Sequence, residues 1–292
     1  MGLMLRRTFL TFAAALAAPS LAETRIEETD ALGRVVRLPG PPRRIVTIFS
    51  SNAEIVAALG LADRVVGVDA FTRYPQELAE KPKVGGRLGF SIDAIVAVRP
   101  DLVILTPARQ AAQQLLDPLD RLGIPAMTLL ARSVAETLFN IRLVGRVTGE
   151  TARGELVASA LQERIDRLPR LARRPSVALV AGVVGNGLVI VARPGTYTTD
   201  ALTLAGARLA LEPVTPQVSP EALVAADPDL LLFAGSQDGL DALLRQPGWE
   251  ILRAAREKRV VAVSRAEFLI PGPRTVDGVE KLALRLEELF QR

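Results

Sequence analysis

Neither histidine nor cysteine occurs anywhere in the 292 residues. Thiol nucleophiles, histidine-based triads and metal sites ligated by His or Cys are therefore excluded. Carboxylates, lysine, serine and tyrosine remain, and no pair of acids has a spacing that suits general acid–base work. The residues with chemistry to offer are arginines and aromatics in loops. Arg193-Pro-Gly-Thr-Tyr197 follows an aliphatic strand ending at Val191, and the segment from Phe268 to Arg274 follows one ending at Val263. Loops leaving strand C-termini are where open α/β sheets bind ligands, so Arg193, Tyr197, Phe268 and Arg274 are candidate ligand-site residues. Such groups recognise anionic or flat molecules and need make or break no bond. Gly185-Asn-Gly187 lacks the third glycine and the following helix of a dinucleotide site.

Two acids stand out by position. Ser91-Ile-Asp-Ala-Ile-Val-Ala-Val-Arg-Pro-Asp-Leu-Val-Ile104 and Ser219-Pro-Glu-Ala-Leu-Val-Ala-Ala-Asp-Pro-Asp-Leu-Leu-Leu232 repeat one pattern 128 positions apart. In each, a capping Ser with an acid two residues on starts a short helix, Pro-Asp stops it, and an aliphatic run enters a buried strand. Asp93 and Glu221 occupy matching places, and the spacing is that of one domain. Paired α/β lobes leave a cleft between them, where small ligands bind.

The elements around these motifs agree with two lobes. Aliphatic residues dominate the apolar share of 49%, with only 4% aromatic, as expected of parallel sheets covered by helices. Arg44 to Phe49 reads as a buried strand feeding a helix from Ala53 to Leu59, followed by a strand Val65–Val68 and a long turn-rich loop from Asp69 to Gly89. Beyond the first repeat come helices near 110–122 and 134–147. The stretch from Gly149 to Ala172 reads as the longest helix, a rigid bridge between lobes, with Leu156, Ala160, Ile165 and Leu168 as its apolar stripe. The second lobe restarts at Val177 and closes with a helix from Val276 to Phe290. The expected fold class is α/β, two Rossmann-like lobes joined by a long rigid helix, divided as 23–148, 149–172 and 173–292.

Residues 1–22 read as a secretory signal peptide, with a charged start, an apolar segment from Thr11 and a small-x-small ending cleaved after Ala22. Arg6-Arg7-Thr-Phe-Leu suggests the twin-arginine route. Without Arg6 and Arg7, 34 basic residues face 32 acidic ones. The mature chain is nearly neutral and has no dense basic stripe, so no nucleic-acid partner is expected.

Pro42-Arg-Arg-Ile-Val-Thr-Ile48, Thr72-Arg-Tyr-Pro75, the block Val84–Ile104, Leu204-Ala-Gly206 and Pro216-Gln-Val-Ser-Pro-Glu221 together resemble the periplasmic substrate-binding proteins of ABC importers, in the subfamily that carries ferric siderophores, haem and vitamin B12. The likeness spans nearly all of the mature chain and is greatest to the cobalamin-binding branch. It implies a monomeric receptor, with no catalytic residues, resident cofactor or resident metal, that carries a metal chelate, corrinoid or ferric siderophore, to a permease dimer. Tyr74 stands where that branch sets an aromatic against the corrin. Arg87 and Thr215 stand where it has tryptophans, and Arg87 would favour anionic groups. Asp93 and Glu221 match the acids that meet permease arginines, one per lobe. A haem receptor is the alternative, with Tyr74 or Tyr197 as the only available axial ligands because the turn Gly85–Phe90 has none. Less favoured are a secreted α/β enzyme and a sensor on the same fold.

Overall fold

A computed structural model describes residues 25–86, 89–106, 109–185 and 187–290, with the side chains of 109–113 left out of the description. Residues 1–24, which hold the expected signal peptide, lie outside it. The first sheet has the strand order Gly89–Phe90, Lys83–Gly86, Val65–Asp69, Ile45–Ile48, Leu102–Leu105 and Ala126–Thr128. All its pairings are parallel except that of the two-residue strand Gly89–Phe90. The second sheet runs Gln217–Val218, Val189–Val191, Ser176–Val183, Leu230–Ala234 and Val260–Val263, with Arg208–Leu209 also paired to Ser176–Val183. Its centre is parallel, and Val189–Val191 is antiparallel to both neighbours.

Side chains alternate across each strand, so each sheet has two faces to bury. Leu102 and Ile104 of the first sheet belong to the same buried cluster as Val177, Leu179, Leu230 and Leu232 of the second. Their neighbours Val103 and Leu105 face a separate cluster with Ile95 and Leu119, while Ala178, Val180 and Leu231 face another with Leu223 and Trp249. Each sheet thus has a private outer core and contributes its inner face to a common one.

Helices Val134–Val147, Thr151–Asp166 and Arg274–Phe290 place Ile141, Ala158, Val279 and Leu286 in the common cluster, beside Ile55 of helix Ser50–Ala58 and Leu202 of helix Tyr197–Leu204. The first two pack backbone to backbone, since a Cβ on Gly145 would lie 2.9 Å from the Cα of Gly154. Arg164 ties the second to the third through Asp277 at 2.7 Å and Glu280. The helix expected over 149–172 ends at Asp166, and the longest helix among the described residues is instead Arg274–Phe290. Pro169 is the physical reason, because it cannot donate to the helix and disfavours α geometry in the residue before it. The connection is therefore a three-helix layer, of which the 16-residue helix is one member. Likewise the expected loop from Asp69 to Gly89 contains a helix, Gln76–Ala79, and the strand Lys83–Gly86. Two glycines hid that strand; the ring of Phe90 occupies the space a side chain on Gly85 would need.

Both repeats fold alike. Ser91 and Ser219 accept hydrogen bonds from the backbone N–H of Ala94 and Ala222, capping helices Ile92–Ala97 and Pro220–Ala226. Ile95 and Leu223 are fully buried, and Arg99 and Asp227 turn the chain at φ 44° and 40°. The acid after the proline then pins the start of the neighbouring strand. Asp101 accepts from the N–H groups of Arg43 and Arg44, both at 2.8 Å, and Asp229 accepts from the Ser176 N–H at 2.9 Å and its hydroxyl at 3.0 Å. Arg253 adds a contact to Asp229 at 3.2 Å.

Burial alone would raise the Asp229 carboxyl, but the Ser176 bonds and Arg253 overcome it and hold the group below the usual carboxylate range. Asp229→Ala should lower the free energy of unfolding by about 2 kcal/mol, the cost of leaving the buried Ser176 donors unmet, as read from urea denaturation. Because the folded pKa is depressed, this contribution is complete above the unfolded pKa, near 4, and disappears as pH falls through the folded value. The gap between wild type and variant should therefore close in acid.

Candidate functional site

A cavity of about 490 Å³ is lined by Ala131 and Arg132 of the first half and by residues of the second. Arg132, from the segment after strand Ala126–Thr128, closes one side. Leu179 and Ala181 on the inner face of the second sheet form its floor, with the loop Arg193–Tyr197 and Leu269 completing the wall. The loop is built by its threonines. Thr196 caps helix Tyr197–Leu204, and the hydroxyls of Thr196 and Thr199 both donate to the Arg193 carbonyl, the former at 2.9 Å. Thr198 donates to the Phe268 carbonyl at 2.8 Å, and Asp200 accepts from the Val134 N–H at 2.7 Å, so the loop is fixed to both halves. Arg265 donates to the carbonyls of Ala181 and Ala234, holding two strand ends together.

Arg193 and Tyr197 are thus brought to one cavity, by a route different from the one expected. Val189–Val191 runs antiparallel to Ser176–Val183, so its exit is not at the C-terminal edge of the sheet. Arg193 reaches the cavity because the chain turns into the next helix beside Leu179, where Ala192 N–H meets the Leu179 carbonyl at 3.0 Å. Its guanidinium is exposed and has no partner among the described residues. The Tyr197 hydroxyl is buried and makes no hydrogen bond among them either, and burial pushes its phenol above the usual range.

Tyr74 and Arg274 form a second cluster, around a polar cavity of about 350 Å³. The Arg274 guanidinium lies 4.0 Å from the centre of the Tyr74 ring and grips the Glu54 carboxylate with two bonds, one of 3.0 Å. Glu54 is only 2% exposed, and burial raises its carboxyl more than Arg274 lowers it. The arginine expected to meet a ligand is therefore saturated by a buried acid from the other half of the chain. Phe268 is 2% exposed and belongs to the common core. That placement corrects its expected role in lining a cleft: the strand Val260–Val263 ends only five residues earlier, and the short helix Arg265–Phe268 turns the ring inward. Arg87 lies outside the described residues. Asp93 and Glu221 are exposed on the first turns of the matched helices, and the Ser219 hydroxyl holds Glu221 below the usual range.

Sequence reasoning missed four contributors. Arg132 carried no motif. Glu54 had one usable signal, an acid flanked by Ala53, Ile55 and Val56 in an apolar helix. Arg265 stands two residues beyond the end of a strand, a position worth marking. Phe49 ends strand Ile45–Ile48 at φ 78°, ψ 135°, and is 41% exposed. A phenylalanine in that region is strained by about 1–3 kcal/mol, and such strain concentrates at functional positions. Its ring meets Phe90 at 6.1 Å, and exposed Phe71 follows the adjacent strand, giving an aromatic row along the C-terminal edge of the first sheet. Among the described residues no cluster of His, Cys, Asp or Glu is placed to hold a metal ion.

A family model described as periplasmic binding protein matches residues 45–266. An uncharacterised ABC transporter substrate-binding lipoprotein of Bacillus subtilis is 26% identical over 268 residues, covering 87% of this chain and 83% of its own. A cobalamin-binding protein of Halobacterium salinarum is 29% identical over 276 residues, covering 88% of this chain and 73% of its own. The solved apo structure of a periplasmic haem-binding protein from Roseiflexus sp. RS-1 superposes with a TM-score of 0.73 at 28% identity, over 85% of this chain and 98% of that one.

Removing one partner of a buried ion pair strands the other charge. Arg274→Met should therefore destabilise the protein by roughly 3 kcal/mol, and adding Glu54→Gln should recover most of it. Chemical denaturation of the two variants checks this; a single variant as stable as wild type would show the pair to be dispensable.

Proposed function

The chain belongs to the periplasmic binding protein family, and from that membership we propose that it serves as the solute receptor of an ABC importer, capturing a metal chelate, a corrinoid or a ferric siderophore, and passing it to a membrane permease. One observation carries the reading: a cavity of about 490 Å³ receives walls from both halves of a molecule whose two sheets share a single core. Ligand sites at such junctions are largely preformed, and binding then loses little to reorganisation. Arg193 and Tyr197 line the cavity, and the aromatic row of Phe49, Phe71 and Phe90 offers apolar surface for a flat or bulky ligand. Tyr74 and Arg274 act here mainly as the clasp between the halves, with the exposed edge of the Tyr74 ring free to touch a ligand. No bond is made or broken, and the metal arrives inside its chelate.

The division into lobes over 23–148 and 173–292, linked through 149–172, is part of this proposal, as is the monomeric state. So is export by cleavage after Ala22, with Arg6 and Arg7 directing the twin-arginine route. Asp93 and Glu221 are the docking acids: each stands exposed on the first turn of a Ser-capped helix, one per repeat, suited to charge-assisted contacts with a two-fold permease.

Purified protein titrated with cyanocobalamin and a panel of ferric chelates should bind at least one at a ratio of one to one, read by thermal shift and visible absorbance. Binding to none would remove the transport reading. The variant Asp93→Ala/Glu221→Ala should bind ligand as wild type does yet stimulate the ATPase of its reconstituted importer at least tenfold less. Undiminished stimulation would free both acids of that role.

A further inference from the structure

The contact between Glu54 and Arg274 is built so that a proton undoes it. Arg274 donates from Nε to one carboxylate oxygen at 3.0 Å and from a terminal nitrogen to the other. Such a fork fits an ionised carboxylate, which accepts at both oxygens. The neutral acid carries a hydroxyl at one of them, and that donor faces a donor of the guanidinium, so the fork is left with one good bond. Gly272 lies directly against the carboxylate, since a Cβ there would fall 3.0 Å from Oε2, and the acid has little room to turn away. A proton nevertheless has a route to it. Although only 2% exposed, Glu54 lines the polar cavity of about 350 Å³. The charged and titratable groups facing it are Arg274 and Asp277 of the last helix, Arg164 of helix Thr151–Asp166, Tyr74 and Glu77 of the segment after strand Val65–Asp69, and Tyr197. Asp277 is itself held by Arg164 at 2.7 Å. Burial outweighs Arg274 and lifts the Glu54 carboxyl above its ordinary range, whereas Asp229 and Glu280 are held below theirs, so mild acid reaches Glu54 before it reaches those two. The segment that Arg274 ends leads to the main cavity: Leu269 lines that cavity, and the Phe268 carbonyl beside it accepts from Thr198 at 2.8 Å.

We propose that Glu54 and Arg274 form a proton-operated latch between the halves: protonation of Glu54 in mild acid frees Arg274 with the segment 270–274 and weakens the hold on a bound ligand. The latch follows from the contact itself, while its effect on a ligand rests on the receptor reading above. Because the folded pKa of Glu54 is raised, its contribution to stability is complete below the unfolded pKa, about 4.3, and is lost as pH rises through the folded value. Acid therefore opens the latch without unfolding the chain. The core shared by the two sheets stays closed, and the motion is confined to the segment and to Tyr74, whose ring centre lies 4.0 Å from the Arg274 guanidinium.

Two measurements on the unliganded protein test the latch. Nuclear magnetic resonance of the Glu54 carboxyl carbon should show proton uptake above the ordinary glutamate value of about 4.3. Hydrogen exchange over residues 270–276, corrected for the intrinsic effect of pH, should be at least threefold faster at about pH 5 than at about pH 7. In Glu54→Gln, whose amide presents the donor of the protonated acid, exchange should run at the faster level at both pH values. A carboxyl that titrates at or below about 4.3, or protection that is the same at both pH values, would overturn the latch. Both results are read on the wild type, so they decide even where Glu54→Gln does not fold. A third measurement takes whichever of cyanocobalamin and the ferric chelates the protein binds. The wild type should release it at least threefold faster at about pH 5 than at about pH 7, and Glu54→Gln should release it at the faster rate at both. A change of equal size in the variant would belong to the ligand and sever the latch from release. A segment that loosens in a protein that binds none of the probes would leave the latch standing and remove the receptor reading.

Discussion

Burial of one face of each sheet in the same helix-filled core is the constraint on which everything else in this molecule rests. Leu102 and Ile104 cannot leave the neighbourhood of Val177 and Leu230 without uncovering the helices between them. At about 25 cal/mol per Å² of apolar surface, even a modest opening of that layer would cost several kcal/mol. Large domain swings are thereby disfavoured. A receptor built this way gains affinity from fixed geometry, with motion limited to its loops.

The Glu54–Arg274 pair works within that frame. Its acid lies in the first half and its base in the last helix, and the bonds between them cross the joint beside Tyr74. A buried ion pair adds little net stability over an apolar pair of the same size. Its value is directional, because only one relative placement of the two halves satisfies both charges. The Asp200 bond to the Val134 N–H does the same from the other side of the main cavity. Between them the two contacts tie the halves together, while the threonine-built loop sets where Arg193 and Tyr197 stand at the main cavity.

Much of this was legible in the residues. Strand alternation, the Ser caps and the Pro-Asp breaks are local rules, so the two repeats could be read as helix and strand from their own composition, and Asp93 and Glu221 could be placed on first turns. The end of the bridging helix was equally legible in Pro169 and was overlooked. The strand Lys83–Gly86 was not, because its glycines have no strand preference of their own and the ring of Phe90 takes the space a side chain on Gly85 would need. In the site, proximity to a strand end located Arg193 and Tyr197, but the same rule misplaced Phe268, whose ring turns inward on a helix of four residues.

By itself the sequence determined the kind of element each segment forms, the twofold repetition of one α/β unit and the absence of histidine or thiol chemistry. Those properties depend on residue type and on neighbours a few positions away. Only the tertiary structure decided which arginines are spoken for and which are free. Arg274 and Arg193 look alike in the chain, yet one meets an acid 220 positions distant and the other meets none among the described residues. Electrostatic pairing falls off with distance in space, and distance along the chain carries no record of it.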